Sequence, residues 1–120
     1  MEVASIKMDT DTMTWIDVCE LGDLIENIGV CALINETQIA IFRLSGCEQI
    51  YAIDNHDPFS DANVLSRGVV GDLKGQFVVA SPIYKQHFNL QTGQCLEDKS
   101  VKLRTFPVRV LDGIVQVESL

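Results

Sequence analysis

The sequence predicts an all-β domain in which about eight to ten short antiparallel strands form a sandwich or a partly open barrel. The chain has 120 residues, which is the size of one domain. It contains 13 valines and 11 isoleucines but only 6 alanines, and side chains that branch at Cβ favour strands over helices. Short apolar runs also alternate with clusters of turn-forming residues, which is typical of all-β folds.

Eight segments have the composition of short strands and are separated by turn residues. They span residues 15–19, 30–34, 38–44, 49–53, 76–80, 85–90, 108–110 and 114–117. Turns are predicted at 35–37 and 45–48, and the Asp112-Gly113 pair is a strong signal for a two-residue hairpin. The sequence contains no pattern that is typical of a long helix.

Two segments between these strands are predicted to be projecting loops. Residues 54–75 are rich in asparagine, aspartate and glycine, and a loop of this length in a compact domain is often functional. Residues 81–84 form a second, shorter loop. Residues 1–13 lack periodicity and are expected to form a flexible N-terminal tail, so the folded domain is expected to span residues 14–120.

The charge and the cysteines bear on partners and location. Seventeen acidic and nine basic residues give a net charge of −8, which disfavours nucleic acids and anionic membranes as partners. The longest apolar runs are far shorter than the roughly 20 residues that a membrane span needs. The four cysteines include no Cys-x-x-Cys pair and follow no secretory signal, so we expect reduced thiols and a cytoplasmic location. Cys31 lies in an apolar run and is expected to behave as a small hydrophobe.

The residues by themselves predict no catalytic, cofactor-binding or metal site. The two histidines, His56 and His87, are far apart, and neither is spaced from a cysteine like a zinc or iron–sulfur ligand. The sequence also lacks the Gly-x-Ser-x-Gly motif of serine hydrolases and the Gly-Lys-Ser of a phosphate-binding loop. The residue pattern therefore predicts a metal-free β domain with two prominent loops.

The two loops resemble the cluster-binding loops of Rieske iron–sulfur proteins. In that family the first loop reads Asn-x-Cys-Pro-His, and here residues 55–59 read Asn-His-Asp-Pro-Phe. The second loop of the family reads Cys-Pro-x-His-x-x-x-Phe-Asp-Leu-x-Thr-Gly. Residues 81–93 share with it Pro82, Phe88, Leu90, Thr92 and Gly93. The resemblance implies a Rieske-like antiparallel β fold.

The cluster ligands of that family are not present in this sequence. A Rieske centre is held by two cysteines on one iron and two histidines on the other. The corresponding positions here are Asp57 and Phe59 in the first loop and Ser81 and Tyr84 in the second. The resemblance therefore implies that this chain holds no iron–sulfur cluster and no other cofactor. We expect Asp57, Ser81 and Tyr84 to form a hydrogen-bonded cluster beneath Phe59.

One Rieske-like family lacks all these ligands, and the sequence resembles it over most of residues 14–117. That family is the small subunit of the assimilatory NAD(P)H-dependent nitrite reductases. Segments 57–59, 64–68 and 79–82 carry the resemblance, and they read Asp-Pro-Phe, Val-Leu-Ser-Arg-Gly and Val-Ala-Ser-Pro. It implies a non-catalytic subunit that supports the six-electron reduction of nitrite to ammonium. In that family the large subunit carries FAD, a [4Fe–4S] cluster and sirohaem.

The resemblance also indicates where a partner would bind, because Rieske domains meet their redox partners through the end that carries the two loops. We therefore expect Asp57, Phe59, Arg67 and Tyr84 to lie near the interface with the large subunit. Three other functions stay open: a cluster-free interaction or assembly module for another oxidoreductase, an electron-carrying Rieske ferredoxin, and a redox-active thiol protein. The missing ligands argue against the ferredoxin, and the thiol role requires an exposed cysteine of low pKa.

Overall fold

The computed structural model of the protein describes residues 14–46 and 49–119. The predicted tail, residues 1–13, and the end of the predicted 45–48 turn lie outside the described residues. The described residues form twelve strands and two short 3-10 helices, and none of their helices is long and apolar enough to cross a membrane. The strands are β1 (Thr14–Glu20), β2 (Val30–Ile34), β3 (Thr37–Arg43), β4 (Ile50–Asp54), β5 (His56–Asp57), β6 (Ala62–Asn63), β7 (Val69–Leu73), β8 (Gln76–Ala80), β9 (His87–Asn89), β10 (Thr105–Phe106), β11 (Val108–Leu111) and β12 (Ile114–Ser119). The helices span Leu21–Asp23 and Leu65–Arg67.

The strands are arranged in four antiparallel sheets. The largest sheet has the order β10-β4-β3-β2. Two three-stranded sheets, β1-β12-β11 and β7-β8-β9, pack against it, and β5-β6 is a separate two-stranded pair. No described sheet closes into a barrel, because each has two edge strands. The predicted all-β, antiparallel and open architecture is confirmed.

Strand β3 lies at the centre of the fold, and both of its faces are buried. Ile39 and Ile41 face an apolar cluster that includes residues of β12, whereas Ala40 and Phe42 face a second cluster that includes residues of β8 and β9. Successive side chains of a strand point to opposite faces. A strand covered on both faces therefore needs an unbroken apolar run, which explains why residues 39–42 are all apolar.

The predicted loop over residues 54–75 is wrong at residues 69–73, which form strand β7. This strand pairs with β8 along its whole length. Lys74 and Gly75 make the turn between the two strands with φ angles of 55° and 82°, and positive φ at both positions suits the twist of a hairpin. Gly71 and Asp72 made the segment look like a loop. Both are exposed on an edge strand, where polar residues are tolerated because only one side of the strand is paired.

Cys31 also differs from the expectation, because it is exposed rather than part of the core. β2 is an edge strand whose burial alternates along the chain. Ala32 and Ile34 point towards the apolar cluster beneath the sheet, whereas Cys31 and Leu33 point away from it. The apolar run at 30–34 therefore has one exposed face.

The hairpin predicted at Asp112-Gly113 is confirmed. Leu111 pairs with Ile114, and the two turn residues have φ angles of 53° and 78°. Aspartate and glycine adopt these angles more readily than most residues, which is why the dipeptide signals this turn.

Candidate functional site: two loops beside strands β4 and β8

The two loops that the sequence singled out lie side by side, and together they form the two-loop site. The first loop, residues 55–68, follows β4, and the second loop, residues 81–86, follows β8. The backbones come close at Gly68, where a Cβ atom would collide with the carbonyl oxygen of Ala80. Only glycine permits this approach, so Gly68 lets the end of the first loop lie against the start of the second.

Asn55 anchors the first loop to strand β3. Its side chain is buried, and its Oδ1 accepts a hydrogen bond from the backbone N–H of Ser66 at 2.7 Å. Its Nδ2 donates to Gln38 Oε1 at 3.1 Å and to the carbonyl of Asn63 at 3.2 Å. A buried amide must find such partners. Because these partners come from β3 and from two points of the loop, they hold the loop in one conformation.

Asp57 is the most buried polar residue of the site, with a relative exposure of 0%. Its Oδ1 accepts the backbone N–H of Phe59 at 2.9 Å, which is the pattern of an Asx turn. Its Oδ2 accepts the hydroxyls of Ser60 at 2.9 Å and of Ser81 at 2.5 Å. Burial by itself would raise the pKa of the Asp57 carboxyl, but the hydrogen bonds from Ser81, Phe59 and Ser60 outweigh it and hold the pKa below its usual value. The carboxyl group is therefore ionised at neutral pH.

Ser81 closes the second loop on itself. Its backbone N–H donates to the carbonyl of Gln86 at 2.9 Å, and its own carbonyl accepts the N–H of Lys85 at 3.1 Å. Its Oγ, which donates to Asp57, also accepts the N–H of Ile83 at 3.3 Å. The side chain of Ser81 is buried, so one hydroxyl links the second loop to the first and supports the turn above it.

Phe59 and Tyr84 occupy the outer part of the site. Phe59 is half-buried against the apolar core, with its ring centroid 6.2 Å from that of Phe88. Tyr84 is 61% exposed and makes no hydrogen bond to Asp57 or Ser81, so its place in the expected cluster is wrong. The oxygens of Asp57 already accept three donors, and the exposed phenol of Tyr84 keeps the hydration that burial would remove. The expected contact between Asp57 and Ser81 is confirmed.

The remaining predicted interface residue, Arg67, is exposed at the end of the 3-10 helix that closes the first loop. His56 lies on the same loop, with Nε2 3.2 Å from Asp61 Oδ1 and Nδ1 3.1 Å from Asn63 Oδ1. The structure thus brings Asp57 together with Ser81 and Phe59, and it leaves Tyr84 and Arg67 accessible.

A second group of titratable residues lies between β9 and the segment that follows it. His87 Nδ1 is 2.6 Å from Glu97 Oε2, and the backbone N–H of His87 donates to Glu97 Oε1 at 2.7 Å. Burial raises the pKa of Glu97, but the hydrogen bonds from His87 outweigh it and lower the pKa overall. The pair ties residues 95–98 to β9.

The three cysteines that the structure describes do not support a redox-thiol function. Burial raises the pKa of Cys19, Cys31 and Cys95, and the charge of Asp23 raises that of Cys19 further. A reactive cysteine needs a lowered pKa and an accessible thiol. None of the three described cysteines combines these properties.

The residues of the two-loop site do not fit a [2Fe–2S] cluster. Such a cluster needs thiolate or imidazole ligands, whereas these positions offer a carboxylate, a phenyl ring, a hydroxyl and a phenol. The carboxylate of Asp57 is also occupied by hydrogen bonds. Among residues 14–46 and 49–119, no three His, Cys, Asp or Glu side chains lie close enough together to hold a metal ion.

Comparison with known proteins identifies the family that has this architecture. The sequence model of the Rieske-like [2Fe-2S] domain family matches residues 14–118. The NADH nitrite reductase small subunit of Escherichia coli K12 is 44% identical over 103 residues, which cover 86% of this chain and 95% of the relative. The chain belongs to the Rieske-like nitrite reductase small-subunit family. Another member, the Erwinia carotovora nitrite reductase [NAD(P)H] small subunit, has a solution structure with a TM-score of 0.75 and 46% identity, over 88% of this chain and 82% of that one.

The small-subunit family also extends into longer proteins. A nitrite reductase [NAD(P)H] large subunit of Klebsiella oxytoca is 42% identical over 103 residues, which cover 86% of this chain but only 11% of the relative. In that protein a domain like this one is covalently part of the large subunit.

Sequence reasoning missed two residues that complete the site, Ser60 and Gln38. The available signal for Ser60 is the Asx turn that an aspartate in a turn segment favours, because that turn brings a hydroxyl three residues on close to the carboxylate. Gln38 carries no such signal, because its contact with Asn55 joins strand β3 to the start of the first loop, and only the fold brings these two together.

Proposed function

We propose that this chain is the non-catalytic small subunit of a cytoplasmic NAD(P)H-dependent nitrite reductase and supports the reduction of nitrite to ammonium by a large subunit. The large subunit would carry FAD, a [4Fe–4S] cluster and sirohaem, and this chain would carry none. The observation that carries the proposal is the similarity to the E. coli small subunit over 95% of that protein's length. A cytoplasmic location also suits the unpaired Cys19, Cys31 and Cys95.

The Klebsiella large subunit supports a direct physical partnership. A domain that is fused to the catalytic part in one relative and separate in another is expected to work in contact with it. Fusion keeps the two parts together at high effective concentration. Separate chains must instead bind each other through a surface, so this chain needs an exposed region that suits a protein partner.

We assign that surface to the exposed side of the two-loop site. Pro82, Ile83 and Tyr84 are consecutive and exposed, and Arg67 is exposed on the neighbouring loop. Aromatic residues and arginine are enriched at the energetic centres of protein interfaces. Phe59 would contribute at the edge of this surface, and the buried Asp57 would act by holding Ser81 at the start of the second loop.

The test is reconstitution of the two-subunit enzyme. The large subunit is purified alone and with this chain, and NADH-dependent nitrite consumption and co-elution on a sizing column are compared. We expect co-elution and a gain in activity. Failure of both would contradict the proposal and favour a cluster-free assembly module for another oxidoreductase.

The surface assignment has its own test. Tyr84→Ala and Arg67→Ala are each expected to weaken binding of the large subunit on the order of tenfold. Leu111→Ala is the matched control, because Leu111 is also an exposed apolar residue but lies on β11. An equal loss of binding in all three variants, or no loss in the first two, would place the interface elsewhere.

A further inference from the structure

We propose that the hydrogen bond between Asp57 and Ser81 is the cross-link that holds the two loops together in this chain, in place of the [2Fe–2S] cluster of Rieske domains. The inference concerns the folded chain by itself and does not rest on the proposed function. It starts from the finding that the residues of the site do not fit a [2Fe–2S] cluster.

The positions of the two residues suggest this role. Asp57 and Ser81 stand at the two cysteine positions of the Rieske pattern, one in each loop. In a Rieske centre both cysteines bind the same iron, so that iron bridges the loops. In this chain the two side chains at these positions bond to each other directly.

The contact joins a carboxylate and a hydroxyl that are both shielded from water. The oxygen–oxygen distance is 2.5 Å, which is the range of a hydroxyl bonded to an ionised carboxylate. The relative exposures of Asp57 and Ser81 are 0% and 1%. Water therefore competes little for either group, and the interaction is stronger than it would be at the surface.

The other hydrogen bonds of Asp57 and Ser81 are local. Asp57 accepts Phe59 N–H and Ser60 Oγ within the first loop, and Ser81 bonds with Lys85 and with Gln86 within the second. Among the hydrogen bonds of the described residues, the one from Ser81 Oγ to Asp57 Oδ2 joins residues 55–68 to residues 81–86. The end of the first loop and the start of the second stay in contact at Gly68 and Ala80 without it, so removing it should loosen the parts of the two loops beyond that contact.

The consequence is a two-loop site that assembles from the chain alone. A metal cross-link needs an inserted metal, and its thiolate ligands can be oxidised. A carboxylate–hydroxyl cross-link needs only that Asp57 be ionised, and it has no redox chemistry of its own. The exposed Ile83 and Tyr84 are thus presented on a loop whose shape does not depend on a cofactor.

The chain offers a closely matched pair of variants to test the cross-link. Ser81→Ala and Ser60→Ala each remove one hydroxyl that donates to the same Oδ2 of Asp57, but only Ser81 lies on the other loop. Amide hydrogen exchange of Asp61 in the first loop and Lys85 in the second reports on each loop separately. We expect Ser81→Ala to speed exchange at both amides at least about tenfold, and Ser60→Ala to speed it only at Asp61.

Two further variants keep the test decisive if Ser81→Ala folds poorly. Ser81→Thr keeps the hydroxyl and should retain slow exchange in both loops. The double variant Asp57→Asn/Ser81→Ala should show little more exchange than Asp57→Asn alone, because Asp57→Asn already weakens the bond that Ser81→Ala removes. Additive effects of the two changes, or an unchanged Asp61 exchange rate in Ser81→Ala, would overturn the proposal.

Discussion

The two loops of the site place polar and apolar side chains in opposite ways. In the first loop Asn55 and Asp57 are buried and hydrogen-bonded, whereas in the second loop Ile83 and Tyr84 are exposed. Buried polar groups cost free energy unless each finds a partner, and exposed apolar groups gain free energy only when another surface covers them. The difference indicates that the buried polar residues Asn55 and Asp57 determine the stability of the site, whereas the exposed residues of the second loop, together with Arg67 of the first, determine its recognition of a partner.

The strongest test of this comparison is Asn55→Ala. The change leaves the N–H of Ser66 and the carbonyl of Asn63 without their partner, so we expect a loss of about 3 kcal/mol in the free energy of unfolding. Chemical denaturation measures it. Asn63→Ala is the control, since among the described residues its side chain hydrogen-bonds only with His56. An equal loss in both variants would mean that Asn55 is not the anchor.

Asp57→Asn should have the next largest effect, and the effect should depend on pH. At neutral pH we expect a loss of about 2 kcal/mol, because an amide cannot accept all the donors that the carboxylate accepts. The folded pKa of Asp57 is lowered from 3.8, so its stabilisation is complete above pH 3.8 and is lost as the pH falls through the folded pKa.

The measurement for Asp57→Asn is urea unfolding of both proteins from neutral pH down to below pH 3.8. Glu97 and Asp98 also have lowered pKa values, but they titrate in both proteins and cancel in the difference. The difference in the free energy of unfolding between wild type and variant should become smaller as the pH falls. A gap that stays constant at every pH would contradict the assignment of an ionised, hydrogen-bonded carboxylate.

Phe59→Ala should have a moderate effect. The ring is half-buried and packs against Phe88 and the core around it, so we expect a loss of about 1 kcal/mol. Thermal unfolding monitors this change, and Phe59→Leu should recover most of the stability. If both variants are as stable as wild type, the ring contributes nothing to the core and belongs with the exposed surface.

Tyr84→Ala should have the smallest effect on stability. Its side chain is 61% exposed, and surface substitutions usually change the free energy of unfolding by less than about 0.5 kcal/mol. The same variant is expected to weaken binding of the large subunit. Its thermal unfolding should therefore stay close to that of wild type, whereas its co-elution with the large subunit should decrease. A large loss of stability here would show that the second loop is structural as well.

Prediction from the sequence succeeded where the signal is local. The Asp112-Gly113 turn and the strand at residues 76–80 need only the conformational preferences of neighbouring residues. It failed at residues 69–73 and at Cys31 because an edge strand is defined by the absence of a neighbour on one side. No pattern among neighbouring residues indicates that a strand lacks a pairing partner on one side.

In the candidate site, too, some features follow from the local sequence and others only from the fold. The sequence by itself determined which residues stand at the former ligand positions, and the chemistry of Asp57, Phe59, Ser81 and Tyr84 already excludes the family's iron–sulfur ligation. Only the tertiary structure decided that Asp57 bonds with Ser81 while Tyr84 faces solvent. The partners of a buried carboxylate come from segments far apart in the chain, and the packing of β3, β4 and β8 determines which of them arrive within hydrogen-bonding distance.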